Sequence, residues 1–69
     1  MPVIRIDGPR VEDLNRKRQF VKDVTNAAAA LYGLPPDIIT VLLRENAPEN
    51  VGAGGQLLID LHKSRDTDN

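Results

Sequence analysis

The order of apolar and polar residues along the chain divides it into three segments of different period. In residues 2–6 the two isoleucines alternate with valine and arginine, which is typical of a short strand. From about residue 11 the apolar positions recur at spacings of seven, three, four and three residues, as in an amphipathic helix: Leu14, Val21, Val24, Ala28 and Leu31. Residues 38–45 then form a nearly continuous apolar run, typical of a strand covered on both faces. The pattern therefore predicts a strand, a helix and a second strand.

Turn-forming residues separate these segments. Asp7-Gly8-Pro9 ends the first strand, and Gly33 followed by Pro35-Pro36 ends the helix. Glu12 and Asp13 are expected in the first helical turn, where carboxylates suit the helix dipole. A strand–helix–strand unit of this length makes a right-handed crossover between parallel strands. We therefore predict an α+β fold built on one β-α-β unit with a parallel strand pair.

The elements that the sequence predicts in the last third of the chain are short. Residues 46–50 are expected to form a loop, and residues 51–56 a hairpin or tight reversal in which glycines supply positive φ. These glycines lack the spacing and the following helix of a dinucleotide-binding loop, so nucleotide binding is discounted. Residues 57–61 are predicted to be a short strand or turn packed on a neighbouring subunit. The domain prediction is one domain over residues 1–62, followed by a polar, disordered tail over residues 63–69.

Size and composition indicate self-association. A chain of 69 residues buries a modest fraction of its surface and often needs a metal, disulfides or oligomerisation for stability. The chain has no cysteine, and a single histidine, His62, argues against a histidine-based metal site. It is 41% hydrophobic but only 3% aromatic, so it is rich in aliphatic side chains that suit packed interfaces. We therefore expect an obligate homo-oligomer without a metal.

The charge balance excludes several classes of partner. The formal net charge of −1 gives no reason to expect a nucleic acid or an anionic membrane. No apolar run approaches the roughly eighteen residues that span a bilayer, and the first residues lack the basic-then-apolar order of a signal peptide. The sequence predicts a soluble cytoplasmic protein.

The candidate chemistry lies at Pro2. Removal of Met1, which is usual before a small residue or proline, would leave Pro2 as an N-terminal secondary amine. Free α-amino groups titrate at about 7.7–8.0, and desolvation or nearby cations lower that pKa further. Such an amine suits proton abstraction near neutral pH, whereas with Met1 retained the same nitrogen is an amide without basicity. On its own, a proline at this position is more often neutral sequence than a catalyst.

Two arginines are candidate substrate-binding groups. Arg10 follows the Gly-Pro turn and can pair with a carboxylate or polarise a carbonyl, although a solvated turn arginine is the simpler interpretation. Arg44 lies inside the apolar second strand and, by alternation, shares a face with Thr40 and Leu42. Its charge must reach water, a partner or a ligand. Pairing with a carboxylate across an interface and binding of a substrate are both open.

Four features in this order and spacing resemble the 4-oxalocrotonate tautomerase family. They are Pro2 on the first strand, Val24-Thr25 in the helix, Glu45 at the end of the second strand, and Gly52-Ala53-Gly54-Gly55. The resemblance covers about residues 2–61. It implies a β-α-β protomer that pairs into a four-stranded sheet, with three such dimers forming a hexamer.

The resemblance also implies a cofactor-free isomerase with Pro2 as general base. In that family the N-terminal proline moves a proton from the 2-hydroxyl of a dienol, such as 2-hydroxymuconate, to carbon. Arginines bind the carboxylates of the substrate, and Arg10 matches the first of them across a gap. The family's second-strand arginine, supplied by a neighbouring subunit, falls on Thr40 and its pocket phenylalanine falls on Val51, which leaves Arg44 as a displaced cation. The implied partner is a small unsaturated keto or enol acid.

Two other functions remain open from the sequence. A protonated Pro2 can act as an acid in hydration or dehalogenation of an unsaturated acid, with Asp7, Glu45 and Glu49 as candidate carboxylates for activating water. The chain can also be a non-catalytic oligomeric binding protein that keeps only the fold. The departures at Thr40 and Val51 keep that third interpretation open.

Overall fold

The computed structural model describes residues 2–61, which are organised around one β-α-β unit. Strand β1 spans Val3–Gly8, helix α1 spans Leu14–Tyr32 and strand β2 spans Thr40–Glu45. The two strands pair in parallel along their whole length. The predicted α+β fold with a parallel strand pair is confirmed.

The two ends of α1 are set by short-range hydrogen bonds. Asp13 has an extended backbone and caps the helix, because its carboxylate accepts hydrogen bonds from the amides of Asn15 and Arg16 at 3.0 and 3.4 Å. The placement of Glu12 and Asp13 inside the first turn is therefore wrong: both precede the helix. Gly33 ends the helix as predicted, with a left-handed φ of 66°.

The second strand begins later than its apolar run. Pro36–Ile38 forms a turn of 3₁₀ helix, which the amide of Ile39 closes by donating to the carbonyl of Pro36 at 3.1 Å. The prediction of strand from residue 38 is therefore wrong at its start, because Pro36 provides a helical φ where the run begins.

The last described residues form a hairpin and a helical turn. Strands β3, Gly52–Ala53, and β4, Gln56–Leu57, pair antiparallel around Gly54 and Gly55, whose φ values are 61° and 83°. Positive φ at both central residues is what a two-residue hairpin turn needs, as predicted. Residues 58–61 are helical, so the prediction of a strand or turn over residues 57–61 is wrong beyond Leu57. Predictions for His62 and the 63–69 tail lie outside the described residues.

Within the protomer, one face of the two-stranded sheet is covered. Burial alternates along both strands, and Ile6 and Leu43 on the more buried side line a common cavity with Phe20 of α1. The opposite side carries Val3 and Leu42, which are exposed. The sequence predicts that both faces of the second strand are covered, whereas the protomer itself covers only one of them.

The predicted apolar stripe of α1 meets the sheet only in its middle. Ala28 is the one buried apolar residue among those the structure describes, whereas Leu14 and Leu31, near the two ends, are 58% and 76% exposed. The cause is length: 19 residues of helix extend about 28 Å, and six residues of strand about 20 Å. Charged residues interrupt the first half of α1, and no helix within residues 2–61 is long and apolar enough to cross a membrane.

Ala28 provides a test of this packing. Replacing Ala28 with leucine should destabilise the fold by about 1–3 kcal/mol, because the larger side chain pushes α1 away from the sheet. Ala30 is the matched control, since it lies roughly 200° around the helix from Ala28 and is exposed. Ala30→Leu should change the free energy of unfolding by less than about 0.5 kcal/mol. Equal effects in urea titrations of the two variants would contradict the packing.

Candidate functional site

Pro2 and Thr40 lie side by side at one end of the sheet. Pro2 is half-buried and immediately precedes β1. The amide of Thr40, the first residue of β2, donates a hydrogen bond to the carbonyl of Pro2 at 3.1 Å. This bond extends the parallel ladder beyond β1 and holds Pro2 at the edge where both strands begin.

Arg44 pairs with a carboxylate of its own chain. Its Nε lies 3.0 Å from Oδ1 of Asp7 and its Nη2 lies 3.5 Å from Oδ2, in the cross-strand position that the register gives these two residues. The hydrogen bond from Arg44 lowers the pKa of Asp7 below its ordinary value. The sequence left open a carboxylate partner across an interface, and the structure provides one on the adjacent strand instead.

The other predicted site residues lie away from Pro2 in the protomer. Arg44 is beside Asp7, about 16 Å along the sheet from Pro2 at strand spacing. Arg10 follows β1, and its 75% exposed side chain has a contact of 4.0 Å with Glu12. Val51 follows β2 and accepts a hydrogen bond from the amide of Leu58. One protomer thus unites Pro2 with Thr40 but not with either arginine.

An open cavity of about 450 Å³ lies at the far end of the sheet from Pro2. Its walls come from β1 and the loop after it, from the first half of α1 and from the end of β2: Ile6, Gly8, Pro9, Val11, Arg16, Lys17, Phe20, Leu43, Arg44 and Glu45. The wall is largely apolar, with cationic groups and one carboxylate. The sequence did not predict this cavity, although the Gly8-Pro9 break before the helix forms part of its wall.

Glu45 joins three elements at this end of the sheet. Its Oε1 accepts a hydrogen bond from Lys17 Nζ of α1 at 2.7 Å, and its Oε2 accepts one from the amide of Val11 at 2.6 Å. The side chains of Lys17 and Glu45 are only 25% and 30% exposed. The hydrogen bond from Lys17, and then that from Val11, lower the pKa of the Glu45 carboxyl.

Sequence analysis named Glu45 only as part of a family pattern and as a candidate for water activation. The sequence does indicate the partner of Glu45. Lys17 falls on the same helical face as Val21, Val24 and Ala28. A lysine on an otherwise apolar face needs a carboxylate within reach. The hydrogen bond from the Val11 amide to Glu45 cannot be predicted from the pattern of side chains, because its donor is a backbone group.

The arrangement separates two chemical capacities. The Pro2 end can present an amine once Met1 is removed, and the other end presents arginine and lysine beside an apolar cavity. Within residues 2–61 no group of three or more histidine, aspartate or glutamate side chains is placed to hold a metal ion. The residues present fit proton transfer on a small anionic molecule.

Comparison with known proteins defines the family. A family model described as tautomerase enzyme matches residues 2–61. The chain is similar to the solved structure of DmpI from Archaeoglobus fulgidus, with 44% identity and a TM-score of 0.78 over 86% of this chain and all of that one. A 4-oxalocrotonate tautomerase homologue shows 30% identity and a TM-score of 0.78 over 87% and 95% of the two chains. No curated protein sequence matches the chain. The chain belongs to the 4-oxalocrotonate tautomerase family, which confirms the resemblance drawn from its sequence.

More distant relatives share the fold. A chain of a heterohexameric 4-oxalocrotonate tautomerase from Chloroflexus aurantiacus is 23% identical, with a TM-score of 0.78 over 88% of this chain and 98% of that one. A family of tautomerase enzymes supports tautomerase-type activity for this chain.

The Glu45 contacts predict a pH-dependent stability. The pKa of Glu45 is lower in the folded state than the ordinary 4.5, so its contribution is complete above that value and is lost as pH falls through the folded pKa. Glu45→Gln should therefore lower Tm at neutral pH, and the gap to the wild type should narrow as pH falls from 4.5 through the folded pKa. Asp23→Asn, in an exposed position on α1, is the control. A gap that persists unchanged into acid would contradict the prediction.

Proposed function

We propose that this protein is a cofactor-free enol–keto tautomerase in which the Pro2 amine, freed by removal of Met1, is the general base. The substrate is a 2-hydroxydienoate such as 2-hydroxymuconate. The observation that carries the proposal is the position of Pro2: it is half-buried and anchored to Thr40 at the start of the sheet, in a chain of the tautomerase family.

The proposed reaction moves one proton. The Pro2 nitrogen accepts the proton of the 2-hydroxyl, the C2–O bond becomes a carbonyl, the conjugated double bonds shift, and the proton is delivered to carbon. The reaction is an isomerisation, so it needs neither a cofactor nor an oxidant. A free α-amino group titrates at about 7.7–8.0, so it can both accept and return a proton near neutral pH.

The proposed site takes its cations from another copy of the chain. Arg44 lies about 16 Å along the sheet from Pro2, too far for both to contact one small substrate within a protomer. The protomer also exposes Leu14, Leu31 and Leu42 while burying Ala28, which favours association. We propose a homohexamer of three dimers in which Pro2 of one copy faces Arg10 of another.

The charges favour a substrate with one carboxylate close to the cation. Arg44 is already paired with Asp7, whereas Arg10 has only its 4.0 Å contact with Glu12. Thr40, beside Pro2, brings a hydroxyl where typical family members have an arginine. We therefore propose that a monocarboxylate dienol is processed at least as efficiently as the dicarboxylate 2-hydroxymuconate.

Retention of Met1 is the sharpest test of the amine. Protein made while methionine aminopeptidase is inhibited has the same sequence but an amide at Pro2, and its kcat/KM should fall at least about 100-fold. Pro2→Ala, processed to a primary amine, should give an intermediate rate. Ketonisation of the monocarboxylate and dicarboxylate dienols, followed by ultraviolet absorbance, measures both. N-terminal processing is verified by mass.

The outcomes separate the three functions. If Pro2 acts as a base, kcat/KM falls as pH drops below the pKa of the amine. If Pro2 acts as an acid, kcat/KM falls as pH rises above that pKa. Equal rates for processed and unprocessed protein would refute any role for the amine. Rates at the buffer background for every form would refute the tautomerase proposal and leave the hydration, dehalogenation and non-catalytic interpretations.

Shared sites can be tested by mixing two impaired proteins. Subunits that retain Met1 and subunits with Arg10→Ala should each be nearly inactive alone. Refolded together in equal amounts, they should recover about a quarter of the wild-type activity, because that fraction of sites receives Pro2 and Arg10 from intact copies. Native mass spectrometry measures the mass of six protomers and detects mixed hexamers, because the two kinds of subunit differ in mass. Mixed hexamers without recovered activity, or a protein of monomer mass, would contradict the proposal.

A further inference from the structure

We infer that Glu45 is a positioning residue that fixes the loop carrying Arg10, and thereby orients Arg10 towards the substrate. The inference deepens the proposed function and rests on it, because it takes Arg10 as the substrate-binding cation. No contact of Glu45 with the substrate is needed.

The loop over residues 9–13 is held at three points, and Arg10 lies between two of them. At its start, the amide of Asn46 donates to the carbonyl of Gly8 at 2.8 Å, which continues the sheet ladder. In the middle, the amide of Val11 donates to Glu45 Oε2 at 2.6 Å, across 34 residues of sequence. At its end, Asp13 caps α1. The Glu45 bond is the one that reaches the residue adjacent to Arg10.

Lys17 fixes Glu45 in turn. Its ammonium lies 2.7 Å from the other carboxylate oxygen, and both side chains are largely covered. Both oxygens of Glu45 are therefore engaged, which argues against a direct role in activating water. A carboxylate with two charge-assisted bonds to different elements has little freedom of orientation.

The Arg10 side chain, in contrast, remains available. It is 75% exposed, and its contact is with Glu12 at 4.0 Å. A rigid backbone under an exposed guanidinium is what orientation of an anionic substrate requires, since a displacement of about 1 Å can cost roughly 100-fold in rate. Glu45 supplies the rigidity and leaves the guanidinium open.

Amide exchange tests the anchor independently of activity. In the wild-type protein, the Val11 amide should exchange slowly with deuterium, as measured by NMR. Glu45→Ala should accelerate exchange at Val11, and Glu45→Gln should restore much of the protection, because its amide oxygen still accepts the hydrogen bond. Asp23→Ala, which removes an exposed carboxylate from α1, is the control and should leave Val11 unchanged. Unaltered exchange at Val11 in Glu45→Ala would overturn the inference.

A double-mutant cycle tests whether Glu45 acts through Arg10. Glu45→Ala should lower kcat/KM roughly tenfold, mainly through KM, when Arg10 is present. In an Arg10→Ala background the same change should cost less than about twofold, because the group it positions is gone. Glu45→Gln should lie close to the wild type. Equal losses in both backgrounds would show a general structural effect and overturn the inference.

The two experiments separate this inference from the proposed function. If the wild-type protein turns over no dienol, the proposed function fails, and the exchange at Val11 still decides whether Glu45 anchors the loop. If the wild type is active and Glu45→Ala is equally active, the positioning role fails while the function stands. Light scattering on each variant verifies that its assembly matches that of the wild type.

Discussion

The parallel register between β1 and β2 determines which groups of this chain can act together. It sets Val3 beside Thr40 at one end and Gly8 beside Glu45 at the other. A shift by one residue would exchange the two faces and turn the inward apolar residues out. With the register as observed, the Pro2 end and the cationic end are separated by the length of a strand. Under the proposed function, one protomer therefore supplies half of a site, and this separation is the reason that the proposal includes an assembly.

The same register explains how a chain with so little core remains ordered at the cationic end. Lys17 replaces an apolar contact between α1 and the sheet by an ion pair with Glu45. Besides its contribution to stability, this ion pair fixes the geometry at the end of β2. Here the geometry concerns a loop that no side-chain packing holds, because Val11 and Arg10 are both exposed. The Glu45 carboxylate thus holds this loop in place, a role that packed apolar side chains have in a hydrophobic core.

Local features of this fold could be read from the sequence, and long-range ones could not. Gly33, Gly54 and Gly55 were assigned correctly because positive φ is a property of the residue itself. The alternation in β2 also placed Arg44 on the face of Thr40 and Leu42, but its partner Asp7 depends on the register, which no pattern within one strand contains. The bond from the Val11 amide to Glu45 was unpredictable for the same reason. Of the site, Pro2 and Thr40 could be named from the sequence, but not their contact.

The hydrogen bond between Thr40 and Pro2 has a consequence for how the protein matures. Pro2 contributes its carbonyl to the ladder, and a proline nitrogen bonded to Met1 has no hydrogen to contribute. Cleavage of Met1 therefore takes no hydrogen-bond donor from Pro2 and leaves its carbonyl bonded to Thr40. Unprocessed copies would be structurally competent companions of processed ones. The fraction of active sites in a sample of this protein would then depend on how many chains have lost Met1, rather than on how many chains have folded.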